Sequence, residues 1–251
     1  MGTEKALDSR LMSALPYVRR GGTVADIGTD HAYLPIELIR RGISERAVAC
    51  DVNKGPILRA RAHISEAGLT DRIDTVQTDG LHGVECFRPD DILIFGMGGE
   101  LIVKILSEAP WVRDGAVGLI LQPMTKASTL RRWLSESGFS ILGESLTYED
   151  QYYQTIYARF GGEAEAYSPE ELLLGRHILN GDSRYLEGFI VRNLQILSAA
   201  AEGKRKGNAD TSEEDALIGA LEARLQRLRE KSSAQLSGTQ TESRSGKETT
   251  V

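Results

Sequence analysis

The stretch TVADIGTDHAYLP, residues 23–35, decides the reading of this chain. It begins as a buried apolar strand, reaches Gly28 at a tight turn, and continues into a helix-forming run. Nucleotide-binding turns of this kind repeat glycine so that a pyrophosphate can approach the backbone. Here Asp30 and His31 stand where that repeat would continue. A carboxylate repels phosphate, so a pyrophosphate ligand is disfavoured. A ligand whose end carries an ammonium beside a carboxylate fits better, its cation near Asp26 or Asp30 and its carboxylate near the N–H groups opening the next helix. The methionyl end of S-adenosyl-L-methionine is such a group. Asp30 could instead N-cap that helix.

Outward from this turn, the first two-thirds of the chain alternates strand and helix. Strand-like runs are TVADIG, RAVACDV, IDTVQTD, DDILIFGM and AVGLILQP. Helices are expected over 7–19, with Leu7, Leu11, Leu15 and Val18 on one face, then over 32–41, 56–67, 100–109 and 126–137. The runs FSILGESLTYED and QYYQTIYARF follow with too short a connection for a parallel crossover, so they pair as an antiparallel hairpin. The pattern predicts an α/β fold: a Rossmann-like, doubly wound, mostly parallel sheet of the seven-stranded type. A boundary is expected near 162. Beyond it, segments 169–180, 183–201 and 213–231 read as a small helical or coiled-coil appendage over 163–231. Leu217, Leu221, Leu225 and Leu228 recur there at helical spacing. Residues 232–251, rich in Ser, Thr, Gly and Gln, read as a disordered tail.

Doubly wound sheets bind ligands at the carboxyl ends of their strands. After the second strand, Asp51-Val52-Asn53 offers an acid to ribose hydroxyls. After the third, Asp79 could accept from an adenine amino group, with Gly80 leaving room for the ring. After the fourth, Gly96-Met97-Gly98-Gly99 suggests that something flat approaches the backbone, with Met97 against a ring. Gln122 ends the fifth strand with an amide that could reach a base edge.

The totals bound the function. The chain has 251 residues, 41% hydrophobic and 26% charged, with a formal net charge of −6. That acidity argues against a protein that coats nucleic acid, while permitting a local basic face. Arg184, Arg192 and the 204–206 Lys-Arg-Lys run are candidates for phosphate contact. The two cysteines, Cys50 and Cys86, form no CxxC and the four histidines no HExxH, so no metal site is expected. No apolar run is long enough to span a bilayer, and the N-terminus lacks a signal-peptide core, so a cytoplasmic protein is expected. No acidic Pro-Pro-aromatic motif follows the fourth strand, which disfavours amino methylation. Neither cysteine ends the fourth or fifth strand, which disfavours a pyrimidine C5 adduct. A ring nitrogen with an exposed lone pair, such as adenine N1, needs neither device.

The segments LDSRL, VADIGTDHAYLP, DVNKGP, DGL, FGMGGELI, LILQP, LRRWL and YEDQYYQTIYARF, taken in order, resemble the bacterial tRNA (adenine-N1)-methyltransferase family that modifies adenine at tRNA position 22. The resemblance covers about residues 7–160. It implies a class I methyltransferase fold, S-adenosyl-L-methionine as donor and tRNA as partner, with Asp26, Gly28, Asp30, His31, Asp51, Asp79 and Gly80 around the cofactor. It also places Gly96 to Gly99 beside the target base. On this reading His31, Tyr33, Met97 and Gln122 are the candidates to position the reacting groups. Asp26, Gly28, Asp30, His31, Asp51, Val52, Asn53, Asp79, Gly80, Gly96, Met97 and Gly98 are the cofactor-binding set. A monomer is expected. The alternatives are an NAD-dependent oxidoreductase and a non-catalytic RNA-binding protein that keeps the fold.

Overall fold

The computed structural model of the chain describes residues 7–162 and 165–245. Seven strands form one sheet: β1 Thr23–Ile27, β2 Arg46–Asp51, β3 Ile73–Gln77, β4 Asp91–Met97, β5 Gly118–Pro123, β6 Phe139–Tyr148 and β7 Tyr152–Phe160. Their order is β3-β2-β1-β4-β5-β7-β6. The first five run parallel, and β7 pairs antiparallel with both β5 and β6, as the short connection required. Strand order reverses at β1, whose neighbours are β2 and β4, so the crevice for a ligand opens above the carboxyl ends of β1 and β4.

Helices cover both faces: α1 Ser9–Met12, α2 Tyr33–Arg40, α3 Lys54–Glu66, α4 Gly99–Ser107, α5 Ala127–Glu136, α6 Pro169–Leu174 and α7 Arg176–Asn180. Side chains alternate across a strand, and the core follows that period. Ala25 and Ile27 of β1 face Ile102 and Leu106 of α4 and Leu130 and Leu134 of α5 in one cluster. Val24, one residue out of phase, joins Leu34 and Leu38 of α2 on the other face. Ala60 and Ile64 of α3 complete that second layer against Ala47 and Ala49 of β2. With both faces covered, β4 and β5 are apolar almost throughout, which is why they read as continuous runs.

Two of the expected helices are corrected. The helix over 7–19 is only α1, followed by a 3-10 turn at Leu15–Tyr17. Pro16 lacks the N–H that a helix interior needs and disfavours a helical residue before it. The single helix over 169–180 is two, α6 and α7, broken at Gly175 with φ +91°. The chain divides into two compact units after Ser183. The polar residues 165–168 fall within the first unit, because α6 and α7 dock on the sheet. There Arg131 of α5, fully buried, donates to the carbonyls of Leu172 and Leu173 and to Glu144 of β6. Glu144 in turn accepts from the backbone N–H of His177 in α7.

The second unit, from Arg184 onward, contains α8 Leu186–Lys206 and α9 Ser212–Ser245. The helix α9 runs past 231 because no proline interrupts it, so the tail expected from 232 is helical to Ser245. Residues 246–251 lie outside the described residues. The basic run at 204–206 meets acids: Lys204 pairs with Glu214 at 2.6 Å, Lys206 with Glu202 at 2.8 Å, and Arg205 with Asp215.

Candidate active site

The turn after β1 is built on backbone pairing. The N–H groups of Gly28 and Thr29 both donate to the carbonyl of Cys50 in β2, at 2.8 and 2.9 Å. This folds the chain back across the strand end. Gly28 has φ +81°, and a Cβ there would lie 2.2 Å from the Cε of Met97. The glycine therefore lets the β1 turn and the end of β4 close on each other, and Met97 fills the space behind it. Met97, expected to lie against a ring, thus packs its methyl end against the turn.

Asp26, near the end of β1, is buried, and burial pushes its carboxyl up to about 6 despite a hydrogen bond from Thr29 and the charge of Arg10. Asp51, ending the adjacent strand, adds to the rise. The Cys50 thiol near these two acids is pushed to about 12 by burial and by their charge. It is an inert core residue, not a nucleophile.

Asp30 does not cap α2. The N-cap is Ala32, in the left-handed region at φ 54° with no side-chain cap, and the N–H of Ala32 donates to Thr29 Oγ1 at 3.2 Å. Asp30 instead receives Arg59 of α3, whose Nε donates at 2.9 Å, and lies 3.1 Å from Nε2 of His31. The capping role fails because the turn puts Asp30 two residues ahead of the N-cap, with its carboxylate on Arg59 of α3. His31, Tyr33 and His63 of α3 form a cluster of three rings, with centroids 5.1 Å apart for His31–Tyr33, 4.8 Å for His31–His63 and 5.4 Å for Tyr33–His63. Arg10, Asp26, Gly28, Asp30, His31 and Tyr33 line one open cleft.

The neighbouring strand ends extend this row. Asp51 Oδ1 accepts from the N–H of Asn53 at 2.7 Å, and the Asp51 carbonyl accepts from Thr78 after β3. Val52 is exposed, with its carbonyl held by Gln77. Asp79 and Gly80 follow in a turn closed by Thr78 Oγ1 donating to the carbonyl of His82. On the other side of β1, Gly96 is exposed and Gly98 is the N-cap of α4. The next residue, Gly99, answers to the protein itself, since a Cβ there would lie 2.4 Å from the carbonyl oxygen of Lys126. The flat neighbour inferred for this glycine run is, at that position, the backbone before α5.

Gln122 is fully buried and does not present its amide to a ligand. Its Nε2 donates to the Arg10 carbonyl at 3.1 Å and to Thr155 Oγ1 at 3.2 Å, and its Oε1 accepts from Arg10 Nη1. A base-edge contact is therefore replaced by an internal one. The reason is that β7 and the N-terminal segment close over the end of β5. Arg10 lines the cleft, and Arg59 and His63 contact Asp30 and His31, without having been marked by the strand-end pattern. They come from segments that reach it only through packing. Among the described residues, no cluster of histidine, cysteine and carboxylate side chains is placed to hold a metal ion.

Acids after three successive strands and a glycine turn at the switch point of this sheet define a methyltransferase domain, and the family model so described matches residues 7–156. The tRNA (adenine(22)-N(1))-methyltransferase of Bacillus subtilis is 35% identical over 173 residues, 68% of this chain and 73% of that one. Streptococcus pneumoniae Sp1610 in complex with S-adenosyl-L-methionine matches with a TM-score of 0.78 at 30% identity, covering 88% of this chain and 100% of that one. M. capricolum TrmK in complex with S-adenosyl-homocysteine matches with a TM-score of 0.69 at 25% identity, covering 89% and 96%. The chain belongs to the tRNA (adenine(22)-N(1))-methyltransferase family.

Proposed function

We propose that the protein methylates N1 of the adenine at position 22 of tRNA, with S-adenosyl-L-methionine as donor. One observation carries this reading. The buried carboxylate of Asp26 lines an open cleft at the switch point, where a dinucleotide site would offer only amides to a pyrophosphate. The cleft suits the donor, since an ammonium can meet Asp26 where Asp26 and Gly28 line it.

When bound, S-adenosyl-L-methionine supplies an electrophilic methyl group; its transfer to adenine N1 leaves the thioether and moves the positive charge onto the adenine ring. Adenine N1 carries its own lone pair at neutral pH, so no residue has to remove a proton before attack. The work of the protein is alignment and exclusion of water, worth roughly 7–11 kcal/mol in favourable cases. Asp26 accepts from the methionyl ammonium, Asp51 from the ribose hydroxyls and Asp79 from the donor's adenine amino group. His31 and Tyr33, held as a stack by His63, form a wall against which a flipped base can be oriented. Met97 fixes the turn, and Gly96 leaves the base side of the cleft open.

We further take the protein to act in the cytoplasm as a monomer. In support, tRNA is the substrate, and no helix among the described residues is long and apolar enough to cross a membrane. Mass determination in solution tests the monomer; a dimer mass at working concentration overturns it. For the activity, tRNA is incubated with protein and labelled donor, and its nucleosides are read by mass spectrometry. N1-methyladenosine at position 22 is expected. Its absence, with the donor demonstrably bound, overturns the substrate; binding of NAD in place of the donor overturns the class.

A further inference from the structure

The donor's amino-acid end carries two opposite charges, and the cleft offers a cation as well as an anion. Arg10 lines the same cleft as Asp26 and is close enough for its charge to act on that carboxylate. Its guanidinium spans the strand ends on the far side of β1. Nη1 lies 3.4 Å from Gln122 Oε1 and 3.7 Å from where a Cβ on Gly96 would stand, and the group sits 5.8 Å from the centre of the Tyr153 ring. One long hydrogen bond and a 3.8 Å approach to Asp8 occupy few of its five N–H donors. A planar fork with unused donors, beside a buried acid, matches a zwitterion.

We propose that Arg10 binds the methionyl carboxylate of the donor opposite Asp26, and that Gln122 is the positioning residue that holds Arg10 there. This rests on the reading of Asp26 as the ammonium site. The holding device is specific. Gln122 grips the Arg10 backbone carbonyl from below, while Ser13 Oγ meets Thr155 Oγ1 at 2.6 Å. Ser9 Oγ donates to Glu149 at the tip of the β6–β7 hairpin at 2.8 Å. The N-terminal segment is thereby strapped to the two antiparallel strands. A short helix, cut by Pro16, becomes one wall of the donor site.

The test is calorimetric titration with three probes: S-adenosylhomocysteine, its decarboxylated analogue, and 5′-methylthioadenosine, which lacks the whole amino-acid end. Arg10→Ala should weaken S-adenosylhomocysteine roughly 10- to 100-fold, as expected for a charge-assisted contact. It should leave the decarboxylated analogue and methylthioadenosine unchanged, and Arg10→Lys should recover part of the loss. Gln122→Met, close in volume, should produce a smaller loss confined to S-adenosylhomocysteine. Equal weakening of all three probes would show a merely structural role and overturn the proposal. So would unchanged S-adenosylhomocysteine binding with a raised KM for tRNA, which would turn Arg10 toward the RNA. Failure of the wild-type protein to bind S-adenosylhomocysteine at all would instead overturn the donor assignment itself.

Discussion

Buried charge occurs around this sheet in two contrasting settings. Arg131 and Glu144 are fully enclosed, and each is used up: Arg131 by Glu144, Gln154 and two carbonyls, Glu144 also by the N–H of His177. Asp26 is buried too, yet it borders an open cleft, and its carboxyl is pushed up to about 6 by the cost of its own burial. The first arrangement closes a structure, while the second leaves an interaction for a ligand to supply. Burial of a charge does not by itself distinguish scaffold from site; the state of its partners does.

The sharpest way to break that comparison is to remove one partner from the closed pair. Arg131→Ala leaves Glu144 enclosed without its cation and should lower stability by about 3–5 kcal/mol. Denaturant unfolding checks this, and an unchanged midpoint would mean the pair is not the fastening of α6 and α7. The matching change at the open site, Asp26→Asn, should weaken S-adenosylhomocysteine roughly 10- to 100-fold while the free protein keeps or gains stability, because a costly buried charge is gone. A loss of stability there would make Asp26 a scaffold group after all.

A gentler probe is pH. With its carboxyl raised to about 6, Asp26 is protonated below that value and charged above it. Donor affinity that depends on the charged form should fall about tenfold from pH 7 to pH 5 and lose that dependence in the Asn variant. The sign for folding is opposite. The raised group binds its proton more tightly in the native state, so its contribution to the stability of the free protein declines as pH rises from the ordinary carboxylate range to about 6. The smallest effect is expected far from both sites. Lys204 and Arg205 are paired with Glu214 and Asp215, so replacing both with Ala should change the salt slope of tRNA binding by less than about one unit. A larger change would mean that these pairs open onto RNA.

Much of this was legible in the chain. Apolar runs with glycine and proline stops marked every strand of the sheet, and the short connection before Tyr152 fixed the reversed one. Asp26, Gly28, Asp51 and Asp79 were marked because strand-end position is a matter of counting along the chain. What escaped were groups whose neighbours are distant in sequence. Gln122 sits at a strand end like the others, but β7 and residues 9–13 turn its amide inward. Asp30 precedes a helix as a cap would, but the turn aims it at Arg59, 29 residues away.

The sequence alone determined the order of elements, the chemical character of the turn at 26–31 and hence the family of ligand it admits. Those properties depend on local periodicity, on φ at a glycine, and on which side chains follow a strand. Tertiary structure alone decided which acids remain available to a ligand, which amides are consumed internally, and that Arg10 lines the same cleft as Asp26. These depend on packing between segments more than a hundred residues apart, such as Arg10 and Gln122, for which no spacing along the chain is a signal.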